Sequence, residues 1–448
     1  KLITFNMLSK LIMRLIKDFF NDITKENITN GFVAFLFAVT GPVAIMLLVG
    51  TKTSLSNQEL SSWLFGAFAI NSVITIIFSF WFRKPLIFMW SIPGIILIGS
   101  SIENYSFNEI VGTYLVTGIF LTFLGFTNIL NWINKKIPIE IVMGMVAAIF
   151  LQFSLNWLYS LKETPLLSGS MTITYFIIYA IPSLQRIIPP LLGSLIVGVL
   201  IILNSNHAEI FNNLSLSPIM PTIFKPEFNL NANIELVIPL AITVLFIQNG
   251  QGLAILKSAG HKTHIRPFTV ACGVGSIINS FFGTVSSCLT GPVTGIIVSD
   301  ENSKNDIKVS DANKLIGRER VEFLLEKHGE ENFVQAIKEH NKNVAIKSHY
   351  TSGIIFSLLC VAFGIFSPFF TGLISSCPPG FIASLGGIAL LIVLKNTFIS
   401  AFSGNYSLGA LVSFLITMSD IIILNIGAPF WGLLGGLFIA KMYENNET

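Results

Sequence analysis

The chain has 448 residues, of which 52% are hydrophobic and 11% charged, with a formal net charge of +3. Soluble domains carry about 25% charged residues, so this composition excludes a soluble globular protein. Lipid is the expected surrounding, and no nucleic-acid partner is expected.

Apolar stretches near the roughly 20 residues that a bilayer demands recur along the chain, where a barrel would alternate instead. We read an all-α integral membrane protein with about fourteen transmembrane segments. They begin near Gly31, Ser61, Leu86, Phe107, Pro138, Met171, Pro190, Leu236, Pro267, Gly283, Tyr350, Gly380, Tyr406 and Ile421. Ahead of them, "KLITFNMLSKLIMRLIKDFF" is interrupted by Lys10, Arg14 and Lys17 and lacks a small-residue cleavage site, so it is no signal peptide. Residues 1–29 read as an amphipathic helix on the cytoplasmic surface, and a start on Lys1 rather than Met fits a truncated chain. Residues 30–205 form a first seven-span repeat and 206–234 an extracytoplasmic loop. Residues 235–299 hold spans eight to ten, 300–347 a charged cytoplasmic insertion, and 348–448 the remaining spans.

Four of these segments carry breaks. The first holds Thr40, Gly41 and Pro42, and the third, "MWSIPGIILIGSS", holds Ser91, Pro93 and Gly94. The eighth holds Gln248, Asn249, Gly250, Gln251 and Gly252, and the tenth holds Thr290, Gly291 and Pro292. Proline removes a backbone donor and pushes its predecessor out of the α region. Such a break is tolerated in a membrane only where protein or a water-filled cavity satisfies the backbone. Seven spans per half is odd, so the second half enters from the opposite side. Paired, interrupted segments in inverted repeats point to a transporter's central site. Half-helices are therefore expected in spans three and ten, capped by Ser91 and by Thr290 or Thr294.

Basic residues set the orientation. With the N-terminus inside, inner loops hold Arg83, Lys84, Lys135, Lys136, Arg186, Lys257, Lys262 and Arg266, and outer loops only Lys52, Lys162 and Lys225. This matches the positive-inside rule and places both termini in the cytoplasm; the expected membrane is the inner (cytoplasmic) one. The 300–347 stretch reads as two short amphipathic helices broken near Gly329, in a solvated loop dispensable for transport.

Metal and cofactor signals are absent from the pattern. Cys272, Cys288, Cys360 and Cys377 have no metal-like spacing and read as small buried hydrophobes, while His261 and His264 sit in a basic loop. No nucleophile–base pair lies at bilayer depth, so an enzyme is not expected. None of the 24 carboxylates falls deep inside a span. Glu140, Glu235 and Asp420 stand at helix starts, and Lys395 snorkels.

Two half-helix starts facing each other offer about half a positive charge apiece, a match for one monoanion. The candidate substrate-binding residues are Thr40, Gly41, Ser91, Pro93, Gly94, Gln248, Asn249, Gln251, Thr290 and Gly291. With apolar Phe88 and Met89 beside them, they suit a small organic anion with an apolar part.

At these residues the sequence resembles the benzoate:proton symporter (BenE-type) family, within the inverted seven-plus-seven fold shared with nucleobase and sulfate permeases. Arg83, Pro85, Ser91, Pro93 and Gly94 resemble one family motif. Gln248, Asn249, Gly252, Ala254, Leu256, Lys257 and Gly260 resemble a second. "FLITMSDIIILNIGAPFWGLLGG", with Gly427, Phe430, Trp431 and Gly432, resembles the C-terminal signature. Gln251 and Cys288 depart from the family pattern, and the 300–347 insertion is atypical. The resemblance implies secondary active transport of benzoate or a similar aromatic carboxylate, with proton coupling. The residues themselves leave a nucleobase or inorganic-anion permease open as alternatives, with a membrane scaffold or sensor behind them. A homodimer is also left open.

Overall fold

The computed structural model describes residues 13, 15–50, 52–127, 138–185, 188–204, 216–263, 265–299, 346–375, 377–423 and 428–444. Expectations for the first twelve residues and for nearly all of the 300–347 insertion lie outside these.

Helix α1 spans Lys25–Gly50 and α2 spans Asn57–Phe82. Strand β1, Phe88–Trp90, runs directly into α3, Ile92–Ser101. Then come α4 (Phe107–Phe126), α5 (Ile139–Glu163), α6 (Pro165–Ala180) and α7 (Pro190–Leu203). The second half repeats the scheme with α8 (Leu230–Lys257) and α9 (Ile265–Ser280). Strand β2, Ser287–Leu289, runs into α10, Gly291–Ile297. The chain continues through α11 (Ile346–Ile365), α12 (Ser367–Ser375), α13 (Pro379–Phe402), α14 (Ser407–Met418) and α15 (Ala428–Ile439).

Local chemistry fixes several helix starts. Ser56 with Glu59 and Ser106 with Glu109 form capping boxes at α2 and α4, and the Asn229 side chain caps α8. The start of α8 at Leu230 and of α1 at Lys25 each fall a few residues before the expected boundaries.

Among the described residues, seven helices are long and apolar enough to cross a membrane, not fourteen. An apolar window cannot distinguish a long helix from a short helix joined to a strand, as in β1–α3 and β2–α10. Two expected breaks are also absent. Pro42 lies inside an unbroken α1, where the Thr40 hydroxyl donates to the Leu36 carbonyl at 2.8 Å. Helix α8 continues through Gln248–Gly252 because one extra residue is absorbed in a π segment, Thr243–Gln248. There the Asn249 N–H reaches back to the Val244 carbonyl.

Helix contacts repeat in inverted pairs. α1 packs on α3 and α10, and α8 packs on α10 and α3. α5 lies along α13, and α4 lies along α9. The α4–α9 seam is a backbone contact built from glycine, as membrane helices favour where no hydrophobic effect draws them together. A Cβ on Gly273 would lie 2.4 Å from the Thr122 nitrogen, and one on Gly125 would lie 2.8 Å from the Val270 nitrogen. Gly273→Ala must push the two helices apart and should cost about 1–3 kcal/mol. The melting temperature of the detergent-solubilised protein measures this; an unchanged value would rule out the close contact.

Candidate functional site

The two breaks that persist meet. β1 and β2 pair antiparallel, with Phe88 opposite Leu289, Met89 opposite Cys288 and Trp90 opposite Ser287. Beyond the strands the ladder continues: the Ser91 N–H donates to the Ser286 carbonyl at 3.1 Å and the Thr290 N–H to the Ile87 carbonyl at 3.0 Å. These two bonds exchange under one constant offset in numbering, which pairs Ser91 with Thr290 and Ile87 with Ser286. An approximate two-fold axis therefore passes between Met89 and Cys288. Since the strands are antiparallel, α3 and α10 leave the crossing in opposite directions, and both N-termini point back at it.

Side chains from neighbouring helices satisfy the rest of the crossing. The Phe88 N–H donates to Thr75 Oγ1 at 2.8 Å, and the Ser287 N–H donates to Ser276 Oγ at 2.9 Å. Asn279 donates to Asn71 Oδ1 at 2.9 Å and to Ser287 Oγ at 2.8 Å. Asn249 Oδ1 accepts from the Leu289 N–H at 2.7 Å, tying α8 to β2. Gly252 allows that approach, because a Cβ there would lie 2.6 Å from the Leu289 carbonyl oxygen.

The expected site residues divide by position. Ser91 is buried and caps α3, accepting from the Gly94 N–H at 3.1 Å, with Pro93 in the first turn. Thr290 occupies the matching position on α10 but makes no side-chain cap bond. Thr294 does not cap either; its hydroxyl donates to the Thr290 carbonyl. Gly291 opens α10 directly beside Gln251: a Cβ on Gly291 would lie 2.7 Å from Gln251 Cβ. Gln251 itself is exposed, while Gln248 and Asn249 are buried. Ser91, Pro93, Gly94, Asn249, Gln251, Thr290 and Gly291 are thus gathered around the crossing. Thr40 and Gly41 lie on α1, which packs on both half-helices.

An apolar cavity of about 270 Å³ opens beside α1. Thr40, Phe35, Phe363, Phe370 and Phe381 are among its walls. Ring contacts lead from it to the crossing: Phe363 to Phe68 at 4.8 Å, then Phe68 to Trp90 at 6.4 Å. Trp90 Nε1 and Asn249 Nδ2 are buried donors with no protein partner.

Several site residues escaped the sequence reading. Asn71, Thr75, Ser276, Asn279 and Trp90 stand in apolar runs where nothing local marks them, although amides inside spans are costly unless paired. His261 is not a simple loop residue, since its Nε2 lies 3.2 Å from His349 Nδ1 and both rings are buried. Glu235 is likewise buried, at 2% exposure, rather than displayed at a helix start. Among the described residues no cluster of three or more His, Cys, Asp or Glu side chains could hold a metal ion.

Asn249 is a structural member of the crossing and Gln251 is not. Asn249→Ala leaves the buried Leu289 N–H unpaired and should lower stability by about 1–3 kcal/mol. Gln251→Ala, at an exposed position, should stay within about 0.5 kcal/mol. Thermal melts of both variants in detergent test the contrast, and equal losses would contradict it.

The fold matches known structures over almost the whole chain. The transmembrane domain of the cyanobacterial bicarbonate transporter BicA aligns with a TM-score of 0.55 at 15% identity, covering 93% of this chain and 97% of that one. SLC26A9 aligns with a TM-score of 0.57 at 13% identity, covering 93% of this chain and 64% of that one. At such identities the likeness concerns the fold alone. In sequence, the inner membrane protein YdcO of Escherichia coli (strain K12) is 24% identical over 407 residues, 91% of this chain and 93% of that protein. The benzoate membrane transport protein of Acinetobacter baylyi (strain ATCC 33305 / BD413 / ADP1) is 27% identical over 418 residues, 91% of this chain and 92% of that protein. The family model for the benzoate membrane transport protein, BenE, matches residues 21–312 and 334–442. With most of its length matched, the chain belongs to the BenE family of benzoate membrane transport proteins.

Proposed function

We propose that the chain is a secondary active transporter for benzoate or a similar aromatic carboxylate, moved together with a proton. The observation that carries this reading is the antiparallel crossing of β1 and β2, which aims two helix starts at one place and sets exposed Gln251 beside Gly291. Helix starts favour negative charge, so a carboxylate is held there without a buried arginine. Trp90 Nε1, Asn249 Nδ2 and the uncapped start of α10 supply neutral donors. The aromatic-walled cavity beside α1 suits a flat apolar ring.

Transport follows from alternating access around this site. α1, α3, α8 and α10 pack together as one body around the crossing. α13 and α7 pack on α1, and residues of these helices and of α12 line the cavity between them; this is the surface against which that body moves. In this reading the chain crosses the membrane fourteen times in two inverted sevens, with short segments such as β1–α3 and β2–α10 counted as spans. Both termini face the cytoplasm, as the basic loops require, and the membrane is the inner one, as for the relative YdcO.

Uptake of labelled benzoate into proteoliposomes, with uracil and sulfate as controls, tests the substrate. Uptake of uracil or sulfate in place of benzoate would overturn it. Charge tests the site. Gln251→Glu places a carboxylate at the start of α10, where it competes with a bound anion, and should weaken benzoate binding by about tenfold or more. Gln251→Met removes only neutral hydrogen bonding, about 1 kcal/mol or roughly fivefold. The Glu variant should recover partly in acid, as its new group protonates and stops repelling the substrate. Equal losses for both variants at every pH would remove Gln251 from the site.

Residues 313–333 lie outside the family match and inside the charged insertion. Replacing them with a short polar linker should leave benzoate uptake within about twofold, because such loops tolerate length changes at small cost. Loss of uptake by a correctly inserted variant would instead assign the segment a part in transport.

A further inference from the structure

Two carboxylates are buried among the described residues, Glu235 and Glu444. Glu444 serves the fold, accepting from the Leu408 N–H at 2.7 Å and the Gly409 N–H at 3.0 Å, so that it caps α14. Glu235 has no such role. Its oxygens accept from Ser101 Oγ at 2.5 Å and from Tyr105 Oη at 2.8 Å, and no backbone amide or cation engages it among the described residues.

A buried carboxylate held only by hydroxyls is suited to gaining and losing a proton. As an anion it accepts both hydroxyl hydrogens, but isolated burial of that charge is costly. As an acid it donates one hydrogen bond back, because Ser and Tyr hydroxyls also accept. The same two partners therefore serve both states, with no rearrangement of the backbone.

The surroundings supply a route and a link. Ser100 and Gly99, next to Ser101, line a polar cavity of about 250 Å³ with Lys52, Glu103 and Asp420. On the packed side, α4 presents Glu109, bound instead to Asn229 at 2.8 Å, and Tyr114, whose hydroxyl is buried and unpaired. Neither α3 nor α15 has a titratable side chain between its ends. Glu235 belongs to α8, which carries Gln248, Asn249 and Gln251, while Ser101 ends α3, which Ser91 begins. The Glu235–Ser101 bond thus joins the two elements that build the anion site, about 15 Å from the start of α3 at 1.5 Å per residue.

We propose that Glu235 binds and releases the proton that accompanies the anion. This rests on the reading of the chain as a proton-coupled anion transporter. Protonation removes a negative charge from the assembly that receives the substrate anion, and locks or frees α3 against α8. By reciprocity, a proton that favours the anion is itself favoured by the anion. Affinity for benzoate then rises as pH falls.

The full chain in proteoliposomes provides the test. Glu235→Gln should lose pH-gradient-driven accumulation of labelled benzoate by at least about tenfold, yet keep benzoate–benzoate exchange at equal pH within about threefold. Undiminished accumulation under the gradient would overturn the proposal. If the Gln variant fails to insert, Tyr105→Phe keeps the carboxylate and removes one donor, and must shift the pH profile of uptake; an unchanged profile would overturn it too. Infrared difference spectra between acidic and alkaline pH, with no substrate present, give an independent readout. The unmodified protein should show one carboxylic C=O component that Glu235→Gln removes while the bands of the other carboxylates stay, and a C=O region unchanged by the substitution would overturn the assignment. Should the unmodified protein take up no benzoate while the band still depends on Glu235, the proton site stands and only the substrate reading falls.

Discussion

Everything at the centre of this molecule depends on keeping two interrupted backbones satisfied where water is scarce. A strand of three residues has no sheet to join, so β1 and β2 pair with each other. Helix side chains fill the remaining positions: Thr75 and Ser276 on the strand amides, Asn249 on Leu289 and the Asn71–Asn279–Ser287 cluster beneath. These bonds make the crossing rigid, and rigidity is what holds two helix starts at fixed places. A loop of the same composition would let their dipoles wander.

The near-two-fold relation between the halves has a chemical exception. Ser91 satisfies an amide of its own half-helix, whereas Thr290 does not cap its partner. Gln251 and Gly291 lie on the uncapped side. The imbalance leaves the first turn of α10 without the side-chain cap that Ser91 gives α3.

Packing divides into two kinds. α1, α3, α8 and α10 gather around the crossing, while α5, α13 and α14 pack on one another, with α13 also lying against α1. The first group is tied by hydrogen bonds and close glycine contacts. Between α1 and residues of α7, α12 and α13, apolar side chains leave an open cavity.

Composition and hydropathy were enough to establish a multi-pass helical membrane protein, because lipid admits few residues that are not apolar. Proline and glycine with a small hydroxyl residue before them marked Ser91–Gly94 and Thr290–Pro292 correctly as helix starts, since that chemistry is local. The same local signal misled at Thr40–Pro42 and Gln248–Gly252. There a helix continues, because neighbouring carbonyls, a hydroxyl and a π turn absorb the defect, and none of these is visible in a short window. The inner structure of α2, β1 and β2 was equally hidden, as was the burial of Glu235. Whether a carboxylate at a span's edge faces water or Ser101 and Tyr105 depends on where α3 ends, which is decided far away in the sequence. Residue type and spacing settle what a segment tolerates; only the packed neighbours settle which of its polar groups are paired, and with whom.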